Sequence, residues 1–223
     1  KEFVSKLGID RLFSHSFKTN DSALFRYHTD KENLLQMIYM VIAGYFEDDA
    51  SDELTNDPVF IAVLNKDALA SQPTISRFHN LMDEDSLNQF LSISRVLRKK
   101  IYSIQMPEAV ILDLDSTLLD AYASQEGRAF NFHYQSNGYH PLVCYDGTTG
   151  DLIIIQLRGG TQYSCTGVID FLQPILDEYL ADYPSINLLL RGDSGFATPE
   201  LCQAMRRKWN QLCHQTKRKQ QSP

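Results

Sequence analysis

Two short stretches end in acid where the chain has just been apolar. In AVILDLDSTLLD, residues 109–120, branched aliphatics give way to Asp113 and Asp115, and far downstream INLLLRGDSGF does the same at Asp193. Such runs read as buried strands. A strand that is apolar up to its C-terminal end and then acidic holds its carboxylate at the rim of a sheet. Two such ends side by side would chelate a hard divalent cation through oxygen, and a cation held there acts on phosphate esters. Asp115 and Asp193 are therefore the candidate catalytic and metal-ligating pair. Asp113 alternates with Asp115 and shares its face, either supporting the site or solvating the rim. Thr117, Arg158 and Arg191 also follow these strands. The arginines are candidates to grip phosphate, with ordinary ion pairing as the alternative. His140, before Pro141, reads as a structural hydrogen-bonder.

The composition bounds what such a site could serve. The chain has 223 residues, 43% hydrophobic and 11% aromatic, enough for a substantial core. No apolar run approaches a membrane span, and no basic-then-apolar leader opens the sequence. Lys1 stands where a methionine would open a complete chain, so a fragment is expected. Cys144, Cys165, Cys202 and Cys213 form no CxxC pair and read as reduced cytoplasmic thiols. The net charge of −7 argues against a nucleic-acid partner. Part of the acidic excess in residues 106–207 is the proposed metal site itself, which weakens that objection.

The elements that must position the acids fall into two textures. Residues 1–105 read as helical. Lys31 to Gly44 forms a helix with Asp30 as N-cap and Gly44 as stop. An acidic turn, EDDASDE, precedes a short helix from Pro58 to Leu64. Ser71 to Met82 starts a helix at Pro73 and Thr74, and Asp85 to Ile104 is a longer one. Arg77, His79 and Asn80 permit a helix-turn-helix-like reading, while the pattern alone favours a plain helical bundle with an exposed polar face. Arg95, Arg98, Lys99 and Lys100 suit the helix dipole at its C-terminal end. With Arg77 they are also the candidate DNA contacts.

The texture changes at Pro107, where a domain boundary is placed. Strand one runs to Asp115, and Gln125 to Asn137 is a polar and aromatic loop. His140 to Asp146 and Asp151 to Arg158 form a hairpin around Gly147-Thr148-Thr149-Gly150, which Gly159-Gly160 ends. Thr166 to Asp182 is an amphipathic helix that Pro174 should bend. Ile186 to Arg191 is a further strand, and Pro199 opens another helix. The fold class is α/β, in the α+β sense.

Two families resemble this pattern. DLDSTLLD is similar to the DxDxT nucleophile loop of haloacid-dehalogenase-type phosphatases, which would make Asp113 the nucleophile and Asp115 the acid/base. That chemistry needs a lysine, yet none stands between Lys100 and Lys208, and its parallel sheet conflicts with the hairpin. The longer resemblance is to DDE transposases of bacterial insertion sequences, the group with an RNase H-like core. It rests on QEGRAFNFHYQSNGYHPLVCYD, LRGGTQYSCTGVIDFL and LLLRGDSGF, with SALFRYHTD, IAGYFEDDASDELTNDPVF and SQPTISRFHN in the first half.

The resemblance implies a helical N-terminal region (1–105) that binds DNA ends, then the first part of an RNase H-like mixed-sheet core (106–207). It implies Mg²⁺ or Mn²⁺ on Asp115 and Asp193, and double-stranded DNA with terminal inverted repeats as substrate. It further implies a homodimer in a synaptic complex, with no membrane partner, in the bacterial cytoplasm at the nucleoid. The third carboxylate of such enzymes, a Glu on a later helix, has no counterpart. Glu200 is too early and reads as a helix-start acid. The FNFHY aromatics and Trp209 read as core packing, with base stacking as the alternative.

Residues 208–223, KWNQLCHQTKRKQQSP, lack a strand pattern and read as a non-family tail produced by a frameshift. One synonymous encoding of it, read one base downstream, gives NGINYVIRLKENNS, a strand-forming continuation. The expected protein is a truncated, inactive transposase or a DNA-binding remnant. Its strand at Leu188 to Leu190 would lack a neighbour and leave an open edge.

Overall fold

The computed structural model describes residues 1–209 and 212–215, with side chains through Arg206. The chain forms two compact units, Lys1–Gln105 and Met106 onward.

The first unit is helical: α1 (Glu2–Leu7), α2 (Ile9–Ser16), α3 (Asp30–Ile42), α4 (Ala50–Leu54), α5 (Pro58–Leu64), α6 (Gln72–Asn80) and α7 (Glu84–Ile104). Local chemistry sets most of its boundaries. Gly8 at φ 67 ends α1 and starts α2, a left-handed conformation open to glycine without a Cβ penalty. Thr29, not Asp30, caps α3, through a capping box in which Glu32 reaches back to the Thr29 N–H. Asp30 is free for another role: it is buried, accepts a bond from the Thr19 N–H (2.9 Å) and pairs with Arg26. Asp57 caps α5, with Pro58 in its first turn. The acidic segment expected to be a bare turn contains α4, because Leu54 has a core cluster of Met40, Phe60 and Leu69 to join.

A second cluster, with Phe13, Phe17, Leu34, Phe78 and Ile93, packs α2, α3, α6 and α7 together. Buried Gln36 makes both of its amide bonds to the backbone of Ala70, each 2.8 Å. Those bonds fix the linker that leads into α6. The cations of α7 come before its last turn, which holds no basic residue. The dipole therefore does not account for them.

The second unit is built on a five-stranded sheet. Its strands are β1 (Ala109–Ser116), β5 (Leu142–Asp146), β6 (Leu152–Gln156), β7 (Asn187–Gly192) and β8 (Leu212–Gln215), in the order β6-β5-β1-β7-β8. β1 runs antiparallel to β5 and β5 to β6, whereas β7 is parallel to β1 and β8 to β7. Helix α8 (Val168–Asp182) links β6 to β7, and α9 (Pro199–Trp209) links β7 to β8. This is the RNase H-like order. The aliphatic run of β1 is not buried on both faces as its composition suggests. Val110, Leu112 and Leu114 are 0, 0 and 3% exposed, while alternate residues are only half-buried. In β6 a register shift opposite Cys144 and Tyr145 leaves Ile153 and Ile154 both buried.

Two expectations fail here, both because tertiary pairing overrides local pattern. The stretch from Gln125 to Asn137 is not a plain loop. β3 (Ala129–Asn131) and β4 (Ser136–Tyr139) lie in it and join β2 (Leu119–Asp120) in a small sheet, β2-β4-β3. Nor does β7 present an open edge. Leu189 and Leu190 pair with Leu212 and Cys213 of β8, so part of the compositionally odd tail is a strand. The tail's remaining residues, 210–211 and 216–223, lie outside the described residues.

Candidate metal centre

The register of β1 against β7 builds the site. Asp113 stands opposite Arg191 and Leu114 opposite Gly192. Asp115 and Asp193 are the next residue on each strand beyond that last pair, Asp115 still within β1 and Asp193 just past the end of β7. Alternation puts Asp115 on the face of Asp113, and Asp193, extended at φ −71 and ψ −177, on the face of Arg191. That Asp113 and Arg191 meet shows that these faces are one. The two acids read from sequence as a pair therefore each follow the last pair of the β1–β7 register, one on each strand.

Each carboxylate is held by the backbone that follows it. Asp115 Oδ1 accepts from the Ser116 N–H, and Asp193 Oδ1 from the Gly195 N–H, both at 2.8 Å. Among the described residues neither Oδ2 has a protein partner, so each acid keeps an oxygen for a ligand. Asp115 is exposed and Asp193 partly so. Two carboxylates with water completing the shell suit a hard cation such as Mg²⁺. Among the described residues no group of three or more His, Cys, Asp or Glu assembles into a metal cage. Glu200 is exposed in the first turn of α9, as expected for a helix-start acid.

The other candidates divide. Arg191 grips Asp113 with two prongs, Nε to Oδ1 at 2.9 Å and Nη2 to Oδ2 at 2.5 Å. This hydrogen-bonded pairing raises the Arg191 pKa above its ordinary value. Arg191 is thus committed to a carboxylate rather than presented to phosphate. Arg158 is engaged through two of its three nitrogens: Nε donates to the His140 carbonyl (3.0 Å) and Nη1 to the carbonyls of Thr166 (2.8 Å) and Tyr163 (3.2 Å), while its buried Nη2 has no partner among the described residues. Burial pulls its pKa down. Arg158 gathers the 159–167 loop, and His140 Nδ1 shares that task through the Gln162 carbonyl at 2.7 Å. Thr117 is exposed just past the end of β1.

Reasoning from sequence missed Ser116 and Ser164. The Ser116 hydroxyl donates to Ser164 Oγ at 2.8 Å. Ser164 also lies against the turn after Asp193, where a Cβ on Gly195 would sit 3.2 Å from Ser164 Cβ and 3.0 Å from Asp193 Oδ1. One loop serine therefore touches the backbone neighbourhood of both acids. No spacing in the sequence announces it.

The DNA-contact candidates Arg77, Arg95, Arg98, Lys99 and Lys100 all lie in the first unit, on α6 and α7. Arg77, Arg95, Lys99 and Lys100 are exposed. Lys100 donates to the Leu7 carbonyl at 2.7 Å. The FNFHY segment is not core: Phe132 is 78% exposed and packs edge-on against Phe130. The Trp209 side chain lies outside the described residues.

Several solved structures are similar to this chain at low identity. A piggyBac transposase synaptic complex with hairpin DNA is similar over 100% of this chain and 50% of its own, with 17% identity and a TM-score of 0.44. A Mos1 transposase paired-end complex with left transposon end is similar over 92% and 64%, with 12% identity and a TM-score of 0.33. A Mos1 mariner paired-end complex with Mn gives 95%, 70%, 11% and 0.32. The chain thus spans half the length of the piggyBac transposase chain. No curated protein matches it. The family described as transposase DDE domain group 1 matches residues 1–214, a range that takes in both acids and β8 up to His214. The chain belongs to that transposase family.

Proposed function

We propose that the chain acts in DNA transposition, as the transposase of a bacterial insertion sequence working at the element's terminal inverted repeats. What supports this reading is that the β1–β7 register ends at Leu114 and Gly192, one residue before Asp115 and Asp193, in a chain of this family. Mg²⁺ or Mn²⁺, when bound there, supplies activation of a water or a 3′-hydroxyl and stabilisation of the leaving oxygen at the scissile phosphate. Asp115 and Asp193 would hold the cation, each keeping one carboxylate oxygen without a protein partner among the described residues. Arg191 cancels the charge of Asp113, so the negative charge of this face is concentrated on the pair. The exposed cations of α6 and α7 are the surface for the phosphate backbone. Two copies would pair two DNA ends in the bacterial cytoplasm, at the nucleoid.

With two carboxylates assembled among the described residues, the 223-residue chain is expected to bind cation and DNA ends without cutting them. A second reading, a DNA-binding module that poisons active subunits, draws on the same observation. The phosphatase alternative is disfavoured, because its nucleophile, Asp113, is engaged by Arg191 on both oxygens. We further propose a frameshift in the tail after residue 214, where the family match ends; codons there incompatible with the shifted reading would remove that part.

The test is a gel shift and nicking assay on labelled DNA carrying the element's ends, with Mg²⁺ or Mn²⁺, alongside Mn²⁺ binding followed by electron paramagnetic resonance. Salt-sensitive retardation without nicking, and Mn²⁺ binding lost in Asp115→Asn and Asp193→Asn, is the expected result. Nicking by the purified chain would overturn the two-carboxylate limit. Failure to bind either DNA or Mn²⁺ would overturn the whole reading.

A further inference from the structure

A cavity of about 610 Å³ opens in the first unit between the 21–28 segment, the start of α3 and α6. Asn33 lines it and is 3% exposed, and its amide oxygen has no hydrogen-bond partner. Buried acceptors are nearly always satisfied, and this one, closed to solvent on a residue that lines the cavity, is met when a ligand that donates to it turns the Asn33 amide toward the cavity. Two further features of the same cavity describe that ligand. Phe25, 83% exposed, holds an aromatic ring out to solvent. Arg77 has only the Thr74 hydroxyl at 3.4 Å within the protein and, among the described residues, no carboxylate partner.

The wall that carries Phe25 is fixed. Arg26 beside it is paired with both Asp21 and Asp30, and Asp30 is bonded to Thr19. The set is thus an acceptor at depth, a flat apolar face at the mouth and an uncommitted guanidinium. Together these match a planar ring with an N–H edge and an attached phosphate. Every nucleobase carries an N–H beside an acceptor on its pairing edge, which an asparagine amide can meet in two places. Within a duplex that edge is occupied, so the base must be unpaired.

We propose that this cavity receives one unpaired nucleobase of a DNA strand, with Asn33 bonded to its pairing edge, Phe25 stacked on its face and Arg77 on the adjoining phosphate. The site takes a base without selecting which base. It rests on the DNA partner proposed above and adds to it a place where the strand is read outside the duplex.

The experiment is fluorescence anisotropy of the full chain at one fixed salt concentration. Three labelled duplexes are compared: fully paired, carrying a single-base bulge, and carrying an abasic residue at the same bulge. The base bulge should bind about tenfold tighter than the abasic bulge, as expected for one stacked base. That preference should vanish in Asn33→Leu and Phe25→Ala, and Arg77→Gln should weaken the base and abasic bulges alike. Phe25 and Arg77 are exposed, so their variants test the site even if Asn33→Leu does not fold. Equal affinity for all three duplexes overturns the cavity assignment and leaves the DNA partner standing. No binding to any duplex overturns both. Binding of free AMP as tight as that of the bulged duplex would make this a mononucleotide site and overturn the assignment to a DNA strand.

Discussion

Asp113 and Arg191 face each other in register across two parallel strands and join through two hydrogen bonds, two residues before the two candidate metal-ligating acids. The pair does more than close an ion pair at the rim. It removes one of three carboxylates from the charge of the site. Arg191→Gln should therefore leave Asp113 unpaired beside Asp115 and Asp193, with clustered like charges raising their mutual repulsion. Both side chains are about one-third exposed, so solvent screens the pair and a coupling of about 1 kcal/mol is expected. A double-mutant cycle of Arg191→Gln with Asp113→Asn, read by urea unfolding without metal, checks this. The double variant should recover most of what the arginine variant loses. Strict additivity would show that the pair is incidental.

Ser164 is the residue whose loss should be felt at the metal without touching the metal. Its hydroxyl accepts from Ser116 next to Asp115, and its Cβ lies against the turn that follows Asp193. Ser164→Ala removes the bond and Ser164→Val removes it while filling the space. Groups that orient ligands in this way typically tune metal affinity by about 10- to 100-fold. Mn²⁺ affinity should fall within that range in both variants, with unfolding midpoints changing little in Ser164→Ala. Unchanged Mn²⁺ affinity would reduce Ser164 to a loop contact.

Gly160 marks where the small sheet closes on the chain leaving β6. A Cβ there would stand 2.3 Å from the Ala129 carbonyl and 2.5 Å from that of Gly138, and Asn131 Nδ2 already donates to the Gly160 carbonyl at 2.8 Å. Backbone cannot yield as a side-chain tip does. Gly160→Ala should destabilise the second unit by about 2–3 kcal/mol. Gly159→Ala, whose Cβ would meet nothing nearer than 3.2 Å, should cost clearly less. Comparable thermal shifts for the two would contradict this geometry.

These elements show how far the sequence could be read. The two acid-ended strands, the Gly147–Gly150 hairpin, α8 and the Pro-led α5 and α9 all carry their signal locally, in period, cap or turn residue. Asp115 and Asp193 could be proposed as a pair because each follows an aliphatic run, and the register of β1 against β7 stops one residue short of both. What escaped the reading depends on partners distant in the chain. β8 forms because β7 offers an unpaired edge, although LCHQ has no strand-like alternation. The β2-β4-β3 sheet forms because Gly138 and Gly160 allow close backbone approach. Asp30 looked like a cap and proved to be a buried anchor for Arg26 and Thr19, a role that Thr29 left open by capping α3 itself. Arg158 looked like a phosphate grip, but the carbonyls that engage it come from a loop whose path the sequence does not spell out.

The same Asp30 sets the response of the first unit to acid. Burial opposes its charged form, but hydrogen bonds from Arg26 and from the Thr19 backbone and hydroxyl outweigh burial and hold its pKa below the ordinary value. Glu32 behaves alike: burial is outweighed by bonds from the Thr29 N–H, Lys66 and the Thr29 hydroxyl. Both groups bind protons more weakly in the folded chain than in the unfolded one. Their stabilisation is complete above the ordinary carboxylate range near pH 4 and is lost as pH falls through their lowered folded values. His28 adds an earlier step. Burial first, and then Lys66, pull its pKa below 6.5, so protonation favours the unfolded chain and stability declines as pH drops below about 6.5. Urea midpoints measured from pH 7 to pH 3 should thus fall gently at first and steeply below pH 4. His28→Gln should flatten the first limb and Asp30→Asn the second, at the cost of a lower midpoint at pH 7. An acid limb unchanged in Asp30→Asn would place the acid sensitivity elsewhere in the chain.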